Sequence, residues 1–94
     1  MILEWSELAE ADLDALVWYI AADSVSIALE VDRRILEAVE QLVEAPEIGR
    51  VGRFPGTREW VIPHDRCVVV YRLENEVVQI LRLIHGGQEW PAEI

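Results

Sequence analysis

The stretch RCVVVYRLENEVVQILRLIHGGQEWP, residues 66–91, decides the fold. Cys67 to Leu73 holds Val68, Val69, Val70 and Tyr71, and Val77 to Ile84 holds two Val, two Ile and two Leu, so both runs read as strands. Glu74, Asn75 and Glu76 between them are too few for a crossover helix, which makes the connection a hairpin and the pairing antiparallel. Both runs are apolar at odd and even positions, so the strands are expected to be central, with each face at least partly covered. The cover has to come from earlier in the chain.

Ile2 to Trp5 reads as a short first strand, and Ser6 as the N-cap of a helix running to about Ala22. Ala9, Leu13, Leu16, Val17 and Ile20 fall on one stripe of that helix; Glu7, Glu10 and Asp14 lie on the other side. Trp18 and Tyr19, at the stripe's edges, are expected to pack at the boundary of the core. After a break at Asp23-Ser24, a second helix is periodic through Ala28, Val31, Ile35, Ala38, Val39 and Leu42, and Pro46 ends it. Glu30 and Arg34 are spaced as an i,i+4 pair. So short a break predicts an antiparallel helical hairpin with its apolar stripes on the sheet. Glu47 to Gly56, rich in Gly and Pro, reads as a loop carrying Arg50 and Arg53; Thr57 to Ile62 is the next strand, and Pro63 to Arg66 form the turn into the central hairpin. The expected order is β-α-α-β-β-β in an α+β fold: an antiparallel meander plus a short N-terminal strand, with the helical hairpin on one face of the sheet.

Ninety-four residues suffice for one domain, spanning 1–94, with one modest core. No apolar run approaches the roughly 20 residues needed to cross a bilayer, and Met1 is followed by no basic leader, so a cytoplasmic location without membrane contact is expected. A single Cys67 makes no internal disulfide, and with two scattered His it offers no metal-ligand spacing; it is expected to be a small buried hydrophobe, and neither metal nor cofactor is expected.

Charge is more informative. The chain has no Lys; its eight basic residues are all Arg, against eighteen acids. Residues 1–47 contain twelve acids and two Arg, whereas residues 48–94 contain six of each. The acidity therefore belongs to the helical half, which repels nucleic acid over a Debye length of about 8 Å. The neutral strand half is not excluded from such contact.

Chemistry is sparse. His85, just before Gly86-Gly87, is a candidate acid or base, and His64 a weaker one in a turn. No nucleophile–base pairing, phosphate loop or spaced carboxylate pair is legible.

Leu3-Glu4-Trp5-Ser6, Pro46-Glu47-Ile48-Gly49-Arg50, Pro55-Gly56-Thr57-Arg58-Glu59, Val69-Val70-Tyr71-Arg72 and Ile80-Leu81-Arg82-Leu83-Ile84-His85-Gly86, in this order around two helices, resemble the RelE/ParE toxin superfamily of bacterial toxin–antitoxin pairs. The resemblance covers nearly the whole chain and implies a cognate antitoxin partner with an amphipathic tail. Two activities follow from it. RelE-like toxins cut messenger RNA on the ribosome with clustered cations; the Arg typical of that branch, three residues before the strand Tyr, is Val68 here, and its later basic positions fall near Gly86 and Gly87. Arg58, Arg66 and Arg82 with His85 would have to serve as a substitute cluster, although strand alternation puts Arg82 and His85 on opposite faces. ParE-like toxins bind DNA gyrase and trap it on cleaved DNA without obvious catalytic residues, and the ending Ile-Leu-Arg-Leu-Ile-His-Gly-Gly-Gln-Glu-Trp-Pro is closer to theirs. On that reading His85, Gln88, Glu89 and Trp90 form the target-binding segment, with Trp90 the anchor unless it folds back over the sheet edge. A third reading is a non-toxic member that only binds the antitoxin.

Overall fold

The computed structural model describes residues 1–94. Its elements are β1 (Ile2–Trp5), α1 (Glu7–Ala21), α2 (Val25–Glu44), β2 (Arg50–Val51), β3 (Arg58–Ile62), β4 (Cys67–Glu74) and β5 (Val77–His85). They form a five-stranded sheet in the order β1-β5-β4-β3-β2, with the two helices packed on it. The α+β architecture is the one expected, and β4 and β5 lie at its centre. Both helices are capped by serines, Ser6 as expected and Ser24 of the Asp23-Ser24 break: the Ala9 amide donates to Ser6 Oγ at 3.0 Å and the Ile27 amide to Ser24 Oγ at 3.2 Å.

Register sorts the sheet's faces. Arg58 stands opposite Tyr71, Trp60 opposite Val69 and Ile62 opposite Cys67, while Val69 faces Leu83 and Cys67 faces His85. These positions alternate onto the helix side, where Cys67, Val69, Tyr71, Val78, Ile80 and Leu83 meet Ala9, Leu13, Leu16, Ile35, Val39 and Leu42 in one core. Val70 and Ile84, on the other face, are also buried, so both faces are covered as the double-sided apolar runs require.

Two details come from outside local pattern. β1 pairs with β5 in parallel, Ile2 with Val77 through Trp5 with Ile80, and there β1 ends. Leu81 is an extra residue in β5, since Val70 pairs with Arg82 but Tyr71 with Ile80. α1 takes over the edge that β1 leaves: Ser6 Oγ donates to the Leu81 carbonyl at 2.9 Å, and Asp12 Oδ2 accepts the Leu83 amide at 2.9 Å. The turn between β4 and β5 holds Asn75 at φ 51° and Glu76 at φ 62°. Two consecutive left-handed residues match the right-handed twist of the strands they join.

Two expectations need correction, and a third needs an addition. The segment 47–56 is not all loop, because Arg50 and Val51 pair with Glu59 and Arg58 as a two-residue edge strand. Trp18 and Tyr19 do not pack at the core boundary; each is 77% exposed. The expected Glu30–Arg34 pair forms, at 3.6 Å, but Arg34 bonds more closely to the buried carboxylate of Asp65, at 2.7 Å, which ties the β3–β4 turn to α2.

Candidate interaction site

The end of β5 and the tail after it hold the residues singled out for target binding. His85 is half-buried; its amide donates to Gln88 Oε1 at 3.2 Å, and the Gln88 amide donates back to the His85 carbonyl at 3.1 Å. Closing so small a loop needs Gly87 at φ 85°, in the region that side chains disfavour. The Gly86 amide donates to the Arg66 carbonyl at 2.9 Å, so Arg66 and His85 lie side by side at one end of the central hairpin. Glu89 is exposed.

Trp90 is half-buried, folded back rather than projecting. Arg53 Cζ lies 3.4 Å from its ring centroid, within cation–π range, and the Phe54 ring centroid is 6.5 Å away. Arg53 is itself fixed. Glu59 Oε2 accepts its backbone amide at 2.8 Å and its Nε at 3.2 Å, while Oε1 accepts Arg50 Nη2 at 2.9 Å. Only 3% of Glu59 is exposed. Burial pushes its carboxyl pKa up, but the bonds from the Arg53 amide and from the Arg50 and Arg53 side chains outweigh it and hold the group below the ordinary 4.5. Glu59 thus orders Arg53, and Arg53 orders the tail. This carboxylate escaped the sequence reading; the nearby Arg50 and Arg53 are the signal that could have marked it.

The candidate cation cluster is spread out. Arg58 and Arg66 stand at opposite ends of the β3–β4 ladder; the four steps from Arg58 to Ile62 correspond to about 13 Å of strand. Arg58 Nη1 donates to the Gly49 carbonyl at 2.8 Å. Arg82 forms two bonds with Asp12, at 2.8 and 3.0 Å, and its pairing with Val70 sets it on the face opposite His85, as alternation predicts. Of the four residues, only Arg66 and His85 come together. Among the eight Arg, six pair with carboxylates, Arg58 is held by backbone carbonyls, and Arg66 alone has no protein partner for its side chain. No three His, Cys, Asp or Glu side chains converge as a metal site.

The central Tyr71 secures the segment that leads into this region. Its hydroxyl donates to the Pro46 carbonyl at 2.8 Å and accepts the Gly49 amide at 2.9 Å. A Cβ on Gly49 would lie 2.6 Å from that oxygen, so only glycine fits.

Comparison with known proteins agrees with this architecture. Residues 3–90 match the family model described as ParE toxin of type II toxin-antitoxin system, parDE. The chain is 37% identical over 89 residues to "Putative toxin Y4kP" of Sinorhizobium fredii, covering 95% of this chain and 92% of that one. A solved structure described as the chromosomal ParDE TA system from P. aeruginosa superposes with a TM-score of 0.79 at 31% identity, covering 88% of this chain and 92% of that one. The crystal structure of the intact E. coli RelBE toxin–antitoxin complex shares the fold, with a TM-score of 0.66 at 15% identity over 93% of this chain and 98% of that one. The family match over nearly the whole length, together with the related sequence and the similar structure, shows that the chain belongs to the ParE toxin family of type II toxin–antitoxin systems.

Proposed function

We propose that this toxin acts in the cytoplasm as a non-catalytic inhibitor of DNA gyrase, and that a cognate antitoxin neutralises it. The observation that carries the reading is the internal neutralisation of its arginines. Stabilising the charge on a scissile phosphate takes several cations aimed at one point. Here seven of eight guanidiniums are bound within the protein, and the remaining one, on Arg66, has only half-buried His85 beside it. Inhibition through protein binding asks instead for an ordered surface. The segment His85, Gln88, Glu89 and Trp90 supplies one, held by the Gln88–His85 loop and the Arg53 stack.

The test is a supercoiling reaction with purified gyrase, plasmid and ATP. Accumulation of linear, cleaved plasmid on adding the protein supports the reading. Normal supercoiling in the presence of folded protein overturns it. Ribosome-dependent cleavage of messenger RNA that is lost in Arg66→Ala and His85→Ala would favour the RelE-like activity, for which the Arg66–His85 adjacency is the one supporting feature. Absence of both activities would favour a member that serves only as an antitoxin ligand.

A further inference from the structure

Arg66 carries the one guanidinium of eight that no group in the protein engages, in a chain with eighteen acids. The carboxylates around it do not supply a partner. Asp65 is bound by Arg34 at 2.7 Å and Asp12 by Arg82 at 2.8 Å, and exposed Glu89, three positions beyond Gly86, leaves it unpaired. The side chain is nonetheless placed. The Gly86 amide donates to the Arg66 carbonyl at 2.9 Å, and a Cβ on Gly86 would lie 3.3 Å from Arg66 Cβ and 3.4 Å from its Cδ. The aliphatic stem therefore runs over the bare backbone of Gly86, which holds the guanidinium beside the Gly86-Gly87 bend.

A second donor lies at that bend. The Gly87 amide donates to no group in the protein, and nothing lies within 4 Å of where a Cβ on Gly87 would be, so the approach to it is open. His85 alternates onto the helix side, opposite Cys67, which leaves the guanidinium and the amide as the donors. Arg66 itself holds φ 49°, a left-handed conformation that is strained for a residue with a side chain and free for glycine. A planar, fork-shaped cation beside a backbone amide is a donor set that positions a phosphate group. One cation is too few to stabilise the charge that develops when such a group is cleaved. The corner is suited to holding a phosphodiester, not to cutting it.

We infer that Arg66 and the Gly87 amide grip one phosphodiester group without cleaving it. That the diester belongs to DNA held by gyrase rests on the function proposed above; the donors themselves do not. The net charge of −10 keeps free nucleic acid away, so the contact forms once the toxin is seated on its target. The test begins with nuclear magnetic resonance of the whole chain, titrated with dimethyl phosphate and, at matched ionic strength, with sodium chloride and sodium acetate. Dimethyl phosphate is expected to give saturating shifts confined to the amides of Arg66, Gly86 and Gly87. Binding should be at least about tenfold weaker in Arg66→Gly, whose backbone suits the left-handed turn and whose circular dichroism should match the parent. The same shifts with chloride, equal or stronger binding of acetate, or unchanged binding by Arg66→Gly overturns the inference. A second arm follows retention of cleaved plasmid in the toxin–gyrase complex as salt rises. The slope of log retention against log salt should be shallower by about one for Arg66→Gly than for the parent. Equal slopes show that no DNA phosphate is held and overturn the DNA assignment. A parent that traps no gyrase fails the earlier proposal alone, since the dimethyl phosphate titration still decides whether the site exists.

Discussion

Asp12 and Arg82, seventy positions apart, form a two-bond ion pair in which the same carboxylate also accepts the Leu83 amide. The pair joins α1 to the stretch of β5 that lies beyond the end of β1, and both side chains are largely shielded, Arg82 at 17% and Asp12 at 13% exposure. Asp12→Ala strands a shielded guanidinium and an edge amide together, and should cost about 3 kcal/mol. Urea unfolding measures it. A midpoint unchanged from the parent would show that the pair contributes nothing, whereas Glu37→Ala, in an exposed helix pair, should leave the midpoint nearly where it was.

Tyr71→Phe keeps the ring and removes the hydroxyl, leaving the Pro46 carbonyl and the Gly49 amide without their partner. A loss of about 1–3 kcal/mol is expected, a shift in melting temperature of several degrees. Gly49→Ala should be at least as damaging, because its methyl would collide with the same hydroxyl oxygen. Combining the two changes should cost less than their sum, and calorimetry of the three variants decides it.

Glu59 predicts how stability responds to acid. Its folded pKa is lowered, so the unfolded chain takes up this proton first on acidification. The stabilisation is complete well above the ordinary 4.5 and is lost as pH falls through that value toward the lower folded pKa. Glu59→Gln should therefore be destabilised near pH 7 and show a flatter melting-temperature profile between about pH 5 and 3. Parallel profiles for variant and parent would refute this assignment.

Cys67 is wholly buried, and burial, with the negative charges of Asp65 and Asp12 adding to it, pushes its thiol pKa up to about 12. The thiolate that aromatic disulfide reagents require is scarce at neutral pH and inaccessible in the folded chain. Labelling should be at least about 100-fold slower for native protein than for protein in denaturant. Rapid native labelling would mean that β4 opens at its first residue.

Trp90→Ala removes the ring over Arg53 and should cost only about 1 kcal/mol, since the contact is half-exposed. If the proposed function holds, the part of the ring that stays exposed beside Arg53 is the gyrase contact, so trapping should be lost in Trp90→Ala while the fold is kept. If Trp90→Ala traps gyrase as the parent does, the tail is not the anchor.

Much of this fold was legible because its decisive pairing is local. The β4–β5 hairpin spans nineteen consecutive residues, Cys67 to His85, and its composition, turn length and two-sided apolarity all agree. The burial of Cys67, Tyr71, Ile35 and Leu42 follows from the same periodicities. What escaped were relations between residues distant in sequence. Neither Asp12 nor Glu59 differs by type from the surface acids around it; only the folded sheet shows that one caps an edge and the other orders a tail. β2 was missed because two residues carry no alternation to read. Trp18 misled because a large aromatic beside an apolar stripe normally packs, and here it lies on an outer groove instead. Tail placement was open in the sequence between projecting and folding back, and Arg53, thirty-seven positions earlier, is what fixes it.

The parallel pairing of β1 with β5 has a bearing on when this toxin can exist. Ile2 finds its ladder partner only at Val77, so the first strand synthesised is matched by the last. At about 5–20 residues per second, the leading strand waits roughly 4–15 s for the segment it must join. Until then β5 is missing from the middle of the sheet, and α1 has no Leu81 or Leu83 to bond. A chain that lacks β5 therefore cannot close its core.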